Sequence, residues 1–173
     1  MSHTVYLSLG SNVGDRAVQI SSAIERLHAI GEVTAVSSLY ETSPVEFKDQ
    51  PWFLNAVAKF ETRLDPERLM GLLLDIERAM GRERTRPKGP RNIDLDILLF
   101  DELQFHSAIV DIPHPSMHQR RFVLIPLAEL APDLKHPSLN LTASQMLARI
   151  PATDTVLPYP ATNLPSTLHA RQQ

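Results

Sequence analysis

The chain has 173 residues, a hydrophobic fraction of 43%, 21% charged residues and a formal net charge of −3, the balance of one globular domain with its own core. Such a charge makes no case for nucleic acid or an acidic membrane surface as partner, and no apolar run nears the roughly 20 residues of a spanning helix. Cysteine is absent, which excludes disulfides, thiolate metal ligands and thiol nucleophiles and accords with a reducing cytosol; Met1-Ser2-His3-Thr4 lacks the basic-then-apolar pattern of a leader.

Val5, Leu7 and Leu9 alternate with Tyr6 and Ser8, a period of two that predicts a strand ending at Gly10. Gly10-Ser11-Asn12-x-Gly14 follows, where glycine permits close backbone approach or a positive φ. It matches neither a Walker A loop nor G-x-G-x-x-G, which disfavours a P-loop kinase and a Rossmann enzyme. Ala17, Ile20, Ile24 and Leu27 recur at helical spacing up to Gly31. Val33 to Tyr40 is β-leaning, and Thr42-Ser43-Pro44 punctuates it.

Phe53 to Thr62 predicts a strand with Leu54, Ala56, Ala58 and Phe60 on one face. The residues before it bracket a loop between Thr42-Ser43-Pro44-Val45 and Gln50-Pro51-Trp52-Phe53-Leu54-Asn55, with groups suited to a flat polar heterocycle. Phe53 offers a stacking face, Asn55 an amide that donates and accepts in one plane, and Thr42 nearby backbone groups. Core packing accounts for Phe53 equally well. Asp65-Pro66 opens a helix as N-cap and first-turn proline, Leu69, Leu72, Leu73, Ile76 and Met80 form its apolar stripe, and Gly81 ends it.

Arg82 to Arg91 carries five basic residues and one acid, and its proline and glycine exclude a regular helix. It leads directly into the strand Asn92 to Phe100. Alternation there places Asp94 and Asp96 on one face, with Cα atoms roughly 6.5–7 Å apart, and Leu95, Ile97 and Leu99 on the other. Neighbouring carboxylates repel unless a cation or proton lies between them, and oxygen-only ligands suit Mg²⁺ with substrate phosphates in its remaining positions. A solvated strand edge and a solvated charged loop are the plainer accounts of each feature alone. Together, a cationic loop beside paired carboxylates is what phosphoryl transfer needs.

In Pro113-His114-Pro115 the prolines hold the histidine in extended backbone, and Arg120 stands before an apolar helical run. No H-x-x-H or H-E-x-x-H pattern occurs, so zinc is not expected. Thr142-x-x-Gln145 resembles a capping box opening a last helix near Met146 to Ile150. The order β-α-β-β-α-β followed by more helix predicts a ferredoxin-like α+β domain over residues 1–150, a mainly antiparallel sheet with its helices on one face. Residues 151–173 hold four prolines and no periodicity, and are expected to form an irregular tail.

Assembled, these residues resemble the 6-hydroxymethyl-7,8-dihydropterin pyrophosphokinase family of folate biosynthesis. The resemblance runs from about Tyr6 to Pro132 and is most specific at Gly89-Pro90-Arg91-Asn92-Ile93-Asp94-Leu95-Asp96-Ile97-Leu98. Leu9-Gly10-Ser11-Asn12, Tyr40-Glu41-Thr42, Leu54-Asn55-Ala56, Gly81-Arg82-x-Arg84 and Pro113-His114 follow the family's order. The resemblance implies transfer of the diphosphate of ATP to the pterin hydroxymethyl oxygen, with release of AMP. It implies two Mg²⁺ ions on Asp94 and Asp96, phosphate contacts from Arg82, Arg91, His114 and Arg120, Glu77 on the ribose side and Ile97 at the adenine. The pterin would stack between Phe53 and Phe122, with Gly10, Asn55 and the backbone around Thr42, Ser43 and Val45 reading its edge. A cytoplasmic monomer with small-molecule partners, and neither nucleic acid nor membrane, is implied as well.

Four positions depart from the family's pattern: Lys88 and Pro115 replace frequent aromatics, Phe53 replaces a frequent tyrosine, and Ile109 lies where a basic residue is common. Two rival readings stand beside this one. In a ferredoxin-like binding or regulatory module, Asp94 and Asp96 would be a solvated edge and the basic loop would dock a partner. A nucleotidyltransferase using D-x-D would release pyrophosphate in place of AMP.

Overall fold

Apolar alternation and capped helices produce the predicted βαββαβ order, with its second strand split in two, in the computed structural model, which describes residues 1–44, 49–81 and 92–160. Strand β1 (His3–Ser11) leads to α1 (Arg16–Leu27), whose N-cap Asp15 accepts from the Val18 N–H at 3.2 Å. Strands β2 (Glu32–Val36) and β3 (Tyr40–Thr42) precede β4 (Phe53–Thr62). Helix α2 (Pro66–Ala79) starts at the expected Asp65 cap, which accepts from the Arg68 N–H at 2.8 Å, and β5 (Asp94–Phe100) follows. A small hairpin of β6 (Phe105–His106) and β7 (Asp111–Ile112), a 3₁₀ turn at Met117–Gln119, α3 (Arg121–Leu130), α4 (Ala143–Ala148) and β8 (Val156–Pro158) complete the described chain.

The main sheet has the order β5-β1-β4-β3-β8, with β2 beside β3 along the same edge of β4 and every pairing antiparallel. Read as one β-leaning run, Val33 to Tyr40 is in fact broken at Ser37. The Ser37 N–H donates to the Val57 carbonyl and its Oγ accepts from the Val57 N–H, both at 2.9 Å, while that hydroxyl donates to the Ser38 carbonyl. A side chain that satisfies the neighbouring strand lets the ladder stop and restart without leaving a buried amide unpaired.

Two apolar layers sandwich the sheet. On one face Leu7, Leu9, Ala58 and Phe60 pack against Ile20, Ile24, Leu69 and Leu73 of α1 and α2. On the other, Tyr6, Val57, Leu98 and Leu99 pack against Val123, Leu124, Leu127 and Met146 of α3 and α4. The helices therefore occupy both faces, correcting the one-face expectation. The second face carries too much apolar surface at Tyr6, Val57 and Leu98 to be left in water.

A β-bulge refines the β5 pattern. Leu7 pairs with Ile97, but Tyr6 pairs with Leu99, so Leu98 is the extra residue. Beyond it the faces exchange: Leu99 lies with Leu98 under α3, not with Leu95 and Ile97 under α1 and α2. Asp94 and Asp96 precede the bulge and keep the strict alternation.

The proline-rich segment also has an ordered part. Val156–Pro158 is a strand on the open edge of β3, with Thr42 opposite Val156 and Tyr40 opposite Pro158. Three residues ending in proline close that edge and offer little of a new one.

Candidate active site

Register across the sheet assembles the polar residues. Gly10 lies opposite Asn55 on β4 and opposite Asp94 on β5, and Tyr40 lies opposite Asn55 on β3. Directly opposed residues share a face, so Asp94, Gly10, Asn55 and Tyr40 form one row across four strands. Asp96, Ser8 and Val57 form the next row, and Thr42 opposite Phe53 lies on the other side of the first. Two strand spacings separate Asp94 from Asn55, about 10 Å. One small molecule can span that distance.

At the β4 end a buried amide is fixed by its neighbours. Asn55 is 5% exposed, and its Nδ2 donates to the Oγ1 of the equally buried Thr42 at 2.5 Å. Its Oδ1 lies over Gly10, where a Cβ would stand only 2.7 Å from that oxygen and 3.8 Å from the Phe53 ring. Gly10 is thus required for space: the missing side chain is where the carboxamide lies. Phe53 is half-buried beside it. Asn12 Nδ2 donates to Gln50 Oε1 at 2.9 Å and to the Pro51 carbonyl at 3.0 Å, tying the end of β1 to the segment that enters β4.

At the β5 end Asp94 and Asp96 are half-buried on the same face. Among the described residues no three histidine, aspartate or glutamate side chains converge as a metal cage. A pair of carboxylates on one strand face is the donor set that fits Mg²⁺, an ion that keeps waters and binds through one or two carboxylates plus substrate phosphates.

His114 flanks this end. Its backbone N–H donates to the Leu98 carbonyl at 2.9 Å, and its Nδ1 accepts from the Ser116 N–H at 3.1 Å. Burial first, and the Arg120 cation second, lower its pKa to about 4, against the opposing pull of Asp94 and Asp111. The ring is therefore neutral at pH 7, with Nε2 carrying the proton. The Arg120 guanidinium lies 5.6 Å from the centre of the Phe122 ring. Placed on different substrates by the resemblance, these two side chains touch.

Glu77 and Ile97 lie elsewhere. The Glu77 carboxylate, 2% exposed on α2, accepts from the Leu95 N–H at 3.0 Å along the outer edge of β5. The Ile97 side chain is in the core under α1 and α2. Because the Leu95 amide points to the outer edge, alternation turns the Ile97 backbone groups the same way, so only those can meet a ligand there. Val45, Arg82, Lys88 and Arg91 lie outside the described residues. Gly81 (φ +85°) and Asn92 bracket residues 82–91, and Asn92 Nδ2 donates to the Met80 and Gly81 carbonyls at 3.2 and 3.3 Å.

Several supports carry no mark in a linear reading. Glu129 on α3 accepts from the Ser38 N–H at 2.5 Å and from the Tyr40 hydroxyl at 2.7 Å, across 91 and 89 residues. Burial and that carboxylate raise the Tyr40 pKa, which keeps the phenol a donor. Asn12 stands in the glycine-rich turn and Asn92 at the strand entry, positions where a short amide is itself the available signal.

Residues 6–132 match the family model for 7,8-dihydro-6-hydroxymethylpterin-pyrophosphokinase, a span that stops before α4 and β8. "Folic acid synthesis protein fol1" of Schizosaccharomyces pombe is 47% identical over 149 residues, covering 85% of this chain and 20% of that protein. The chain thus spans about a fifth of that relative's length. The "2-amino-4-hydroxy-6-hydroxymethyldihydropteridine pyrophosphokinase" of Bacillus subtilis is 41% identical over 152 residues, covering 87% of this chain and 91% of that one. A crystal structure of Plasmodium falciparum HPPK-DHPS with pterin and p-hydroxybenzoate superposes with a TM-score of 0.69 at 18% identity, covering 86% of this chain and 42% of that one. This last likeness establishes the ferredoxin-like fold alone.

Two outcomes follow from the geometry. Gly10→Ala drives the Asn55 carboxamide off Thr42 and should destabilise the fold by about 1–3 kcal/mol, read as a lower melting midpoint; an unchanged midpoint would show that the amide moves freely. Because the pKa of His114 is lowered from 6.5 to about 4, its neutral form stabilises the fold above pH 6.5, and that contribution is lost as pH falls from about 6.5 to about 4. Denaturant midpoints across this range should fall less for His114→Gln than for the parent. An NMR titration placing the ring near 6.5 would contradict the assignment.

Proposed function

The chain belongs to the 7,8-dihydro-6-hydroxymethylpterin-pyrophosphokinase family, and we propose that it transfers the β,γ-diphosphate of ATP to the hydroxymethyl oxygen of 6-hydroxymethyl-7,8-dihydropterin. That oxygen forms a bond to the β-phosphorus, the bond from this phosphorus to the bridging oxygen breaks, and AMP leaves. The observation that carries the reading is the row Asp94–Gly10–Asn55, with carboxylates and a heterocycle-reading amide two strands apart on one face. On this reading the partners are small molecules, and the chain works as a cytoplasmic monomer without nucleic acid or membrane.

Asp94 and Asp96 would hold two Mg²⁺ ions, which when bound neutralise phosphate oxygens. Asn55 and Thr42 read the polar edge of the pterin, Gly10 leaves the room that the Asn55 carboxamide occupies, and Phe53 and Phe122 take the faces of the ring. Ser43 would add its backbone groups to the same edge, a role that the resemblance also implies for Val45. His114 is neutral and donates through Nε2 to a phosphate oxygen without repelling Arg120, which supplies the charge beside it. Arg82 and Arg91 follow the negative charge as it moves to AMP. Glu77, its buried carboxylate taken up by the Leu95 N–H, would act on the ribose side through the β5 edge that it fixes, and the backbone of Ile97 faces the adenine. Asp96 is the candidate acceptor for the hydroxyl proton, and most of the acceleration comes from orientation and preorganised charge.

Incubation with ATP, Mg²⁺ and 6-hydroxymethyl-7,8-dihydropterin should yield AMP. Pyrophosphate release would indicate nucleotidyl transfer, and no turnover would remove the proposal. In single-turnover assays Asp96→Ala should lower the rate by about a thousandfold with an unchanged circular dichroism spectrum. A near-parental rate would dismiss the paired-carboxylate role.

A further inference from the structure

Residues 154–159 run along the site and touch it from two sides. On the β3 side, the Ser43 N–H donates to the Thr155 carbonyl and the Thr155 N–H donates to the Ser43 Oγ, both at 3.1 Å. Strand β8 continues this pairing with Val156 opposite Thr42, the hydroxyl that holds Asn55. The Tyr159 N–H then donates to the Leu39 carbonyl at 2.8 Å. On the α3 side, the Arg121 guanidinium donates to the Asp154 carbonyl at 2.9 Å and lies 3.6 Å from its carboxylate, with both side chains only 20% exposed. Arg121 stands between Arg120 and Phe122 at the first turn of α3.

These contacts close a ring. At one end, Glu129 joins α3 to Ser38 and Tyr40. At the other, the path Arg121–Asp154–Thr155–Ser43 joins the start of α3 to the end of β3. Two elements joined at both ends hold a fixed separation, and here the separation is that between Thr42 with Ser43 and Phe122. Without the strap, β3 would have an open outer edge and the polar side of the first turn of α3 would lose its tie to that edge.

We propose that the strap Asp154–Tyr159 is a positioning element that sets dihydropterin affinity, with Arg121 and Thr155 as its attachment points. The inference rests on the pterin reading given above. A strap that merely stabilised the fold would lower the melting midpoint and weaken both substrates alike. A positioning strap acts chiefly on the pterin side: Asp94 and Asp96 stand on β5 and the His114 N–H is held by the Leu98 carbonyl, away from β3 and β8, and of the nucleotide groups only Arg120 borders an attachment point.

The test measures two dissociation constants in the full chain with Mg²⁺: that of a non-hydrolysable ATP analogue, and that of 6-hydroxymethyl-7,8-dihydropterin with the analogue bound. Arg121→Ala should weaken dihydropterin binding about five- to tenfold and leave the analogue within about twofold. Arg121→Lys, whose ammonium can still reach the Asp154 carbonyl, should recover most of the loss. Thr155→Pro removes the N–H that reaches Ser43 Oγ from outside α3 and should shift dihydropterin binding in the same direction. Unchanged dihydropterin binding in both Arg121→Ala and Thr155→Pro overturns the strap's role, as does equal weakening of the two ligands. A parent chain that binds the analogue but no dihydropterin overturns the pterin reading and the strap with it, an outcome distinct from a parent that binds normally and variants that do not differ.

Discussion

Strand β1 is paired on both sides at Gly10, with Asp94 across one ladder and Asn55 across the other, and the site depends on that double pairing. A side chain in a strand has a period of two, so a slip of one residue in either ladder would send the carboxylates or the amide to the opposite face. The opposite face is the apolar layer under α1 and α2, where Leu7, Leu9, Leu95 and Ile97 are packed. Burying a carboxylate there without a partner would cost far more than the ladder could return. The core thereby selects the register, and the register places the chemistry.

The bulge at Leu98 shows how narrowly that selection works. Between Asp94 and Ile97 the strand alternates strictly and both acids stay on the site face. Past Leu98 the faces exchange, which lets Leu98 and Leu99 both pack under α3 while Phe100 returns to the first core. One extra residue thus separates a stretch that keeps both acids on one face from a stretch ordered for packing. The backbone freed at the bulge is used as well, since the Leu98 carbonyl takes the His114 N–H and fixes that ring beside the acids.

Much of this architecture was legible in the sequence because local signals and the global fold agree. The capped starts of α2 and α4, the helical spacing of α1 and the alternation of β1, β4 and β5 are properties of short stretches. The motifs from Gly10 to Pro113 carried the family resemblance that the matched span 6–132 bears out. Legibility failed where long-range partners decide. Nothing near Ser37 announces that its hydroxyl will replace a ladder bond, and Leu99 reads as part of a regular alternation unless the extra residue in β5 is known. Val156–Pro158 has no strand pattern of its own and is a strand because β3 offers an edge. For the site, residue types were readable, whereas the depth of His114, the space left by Gly10 and the core burial of the Ile97 side chain are tertiary facts.

The two ends of the sheet solve the same problem in different ways, and the difference bears on what each end can bind. At the β5 edge, backbone groups are met by side chain and loop: the Leu95 N–H by Glu77 and the Leu98 carbonyl by the His114 N–H. The Ile97 backbone between them faces outward, so a ligand can be read there through peptide groups. At the β3 edge the ladder is closed by β8, and its backbone is spent on the strap. Recognition at that end must come from side chains and from the ends of the ladder, which is where Asn55, Thr42 and Ser43 lie. A flat heterocycle with several donors and acceptors on its rim needs such fixed directional groups, since each unsatisfied buried partner costs about 1–3 kcal/mol. Rigidity contributed by β8, a segment outside the matched span 6–132, bears on how firmly Thr42 and Ser43 are held at that end.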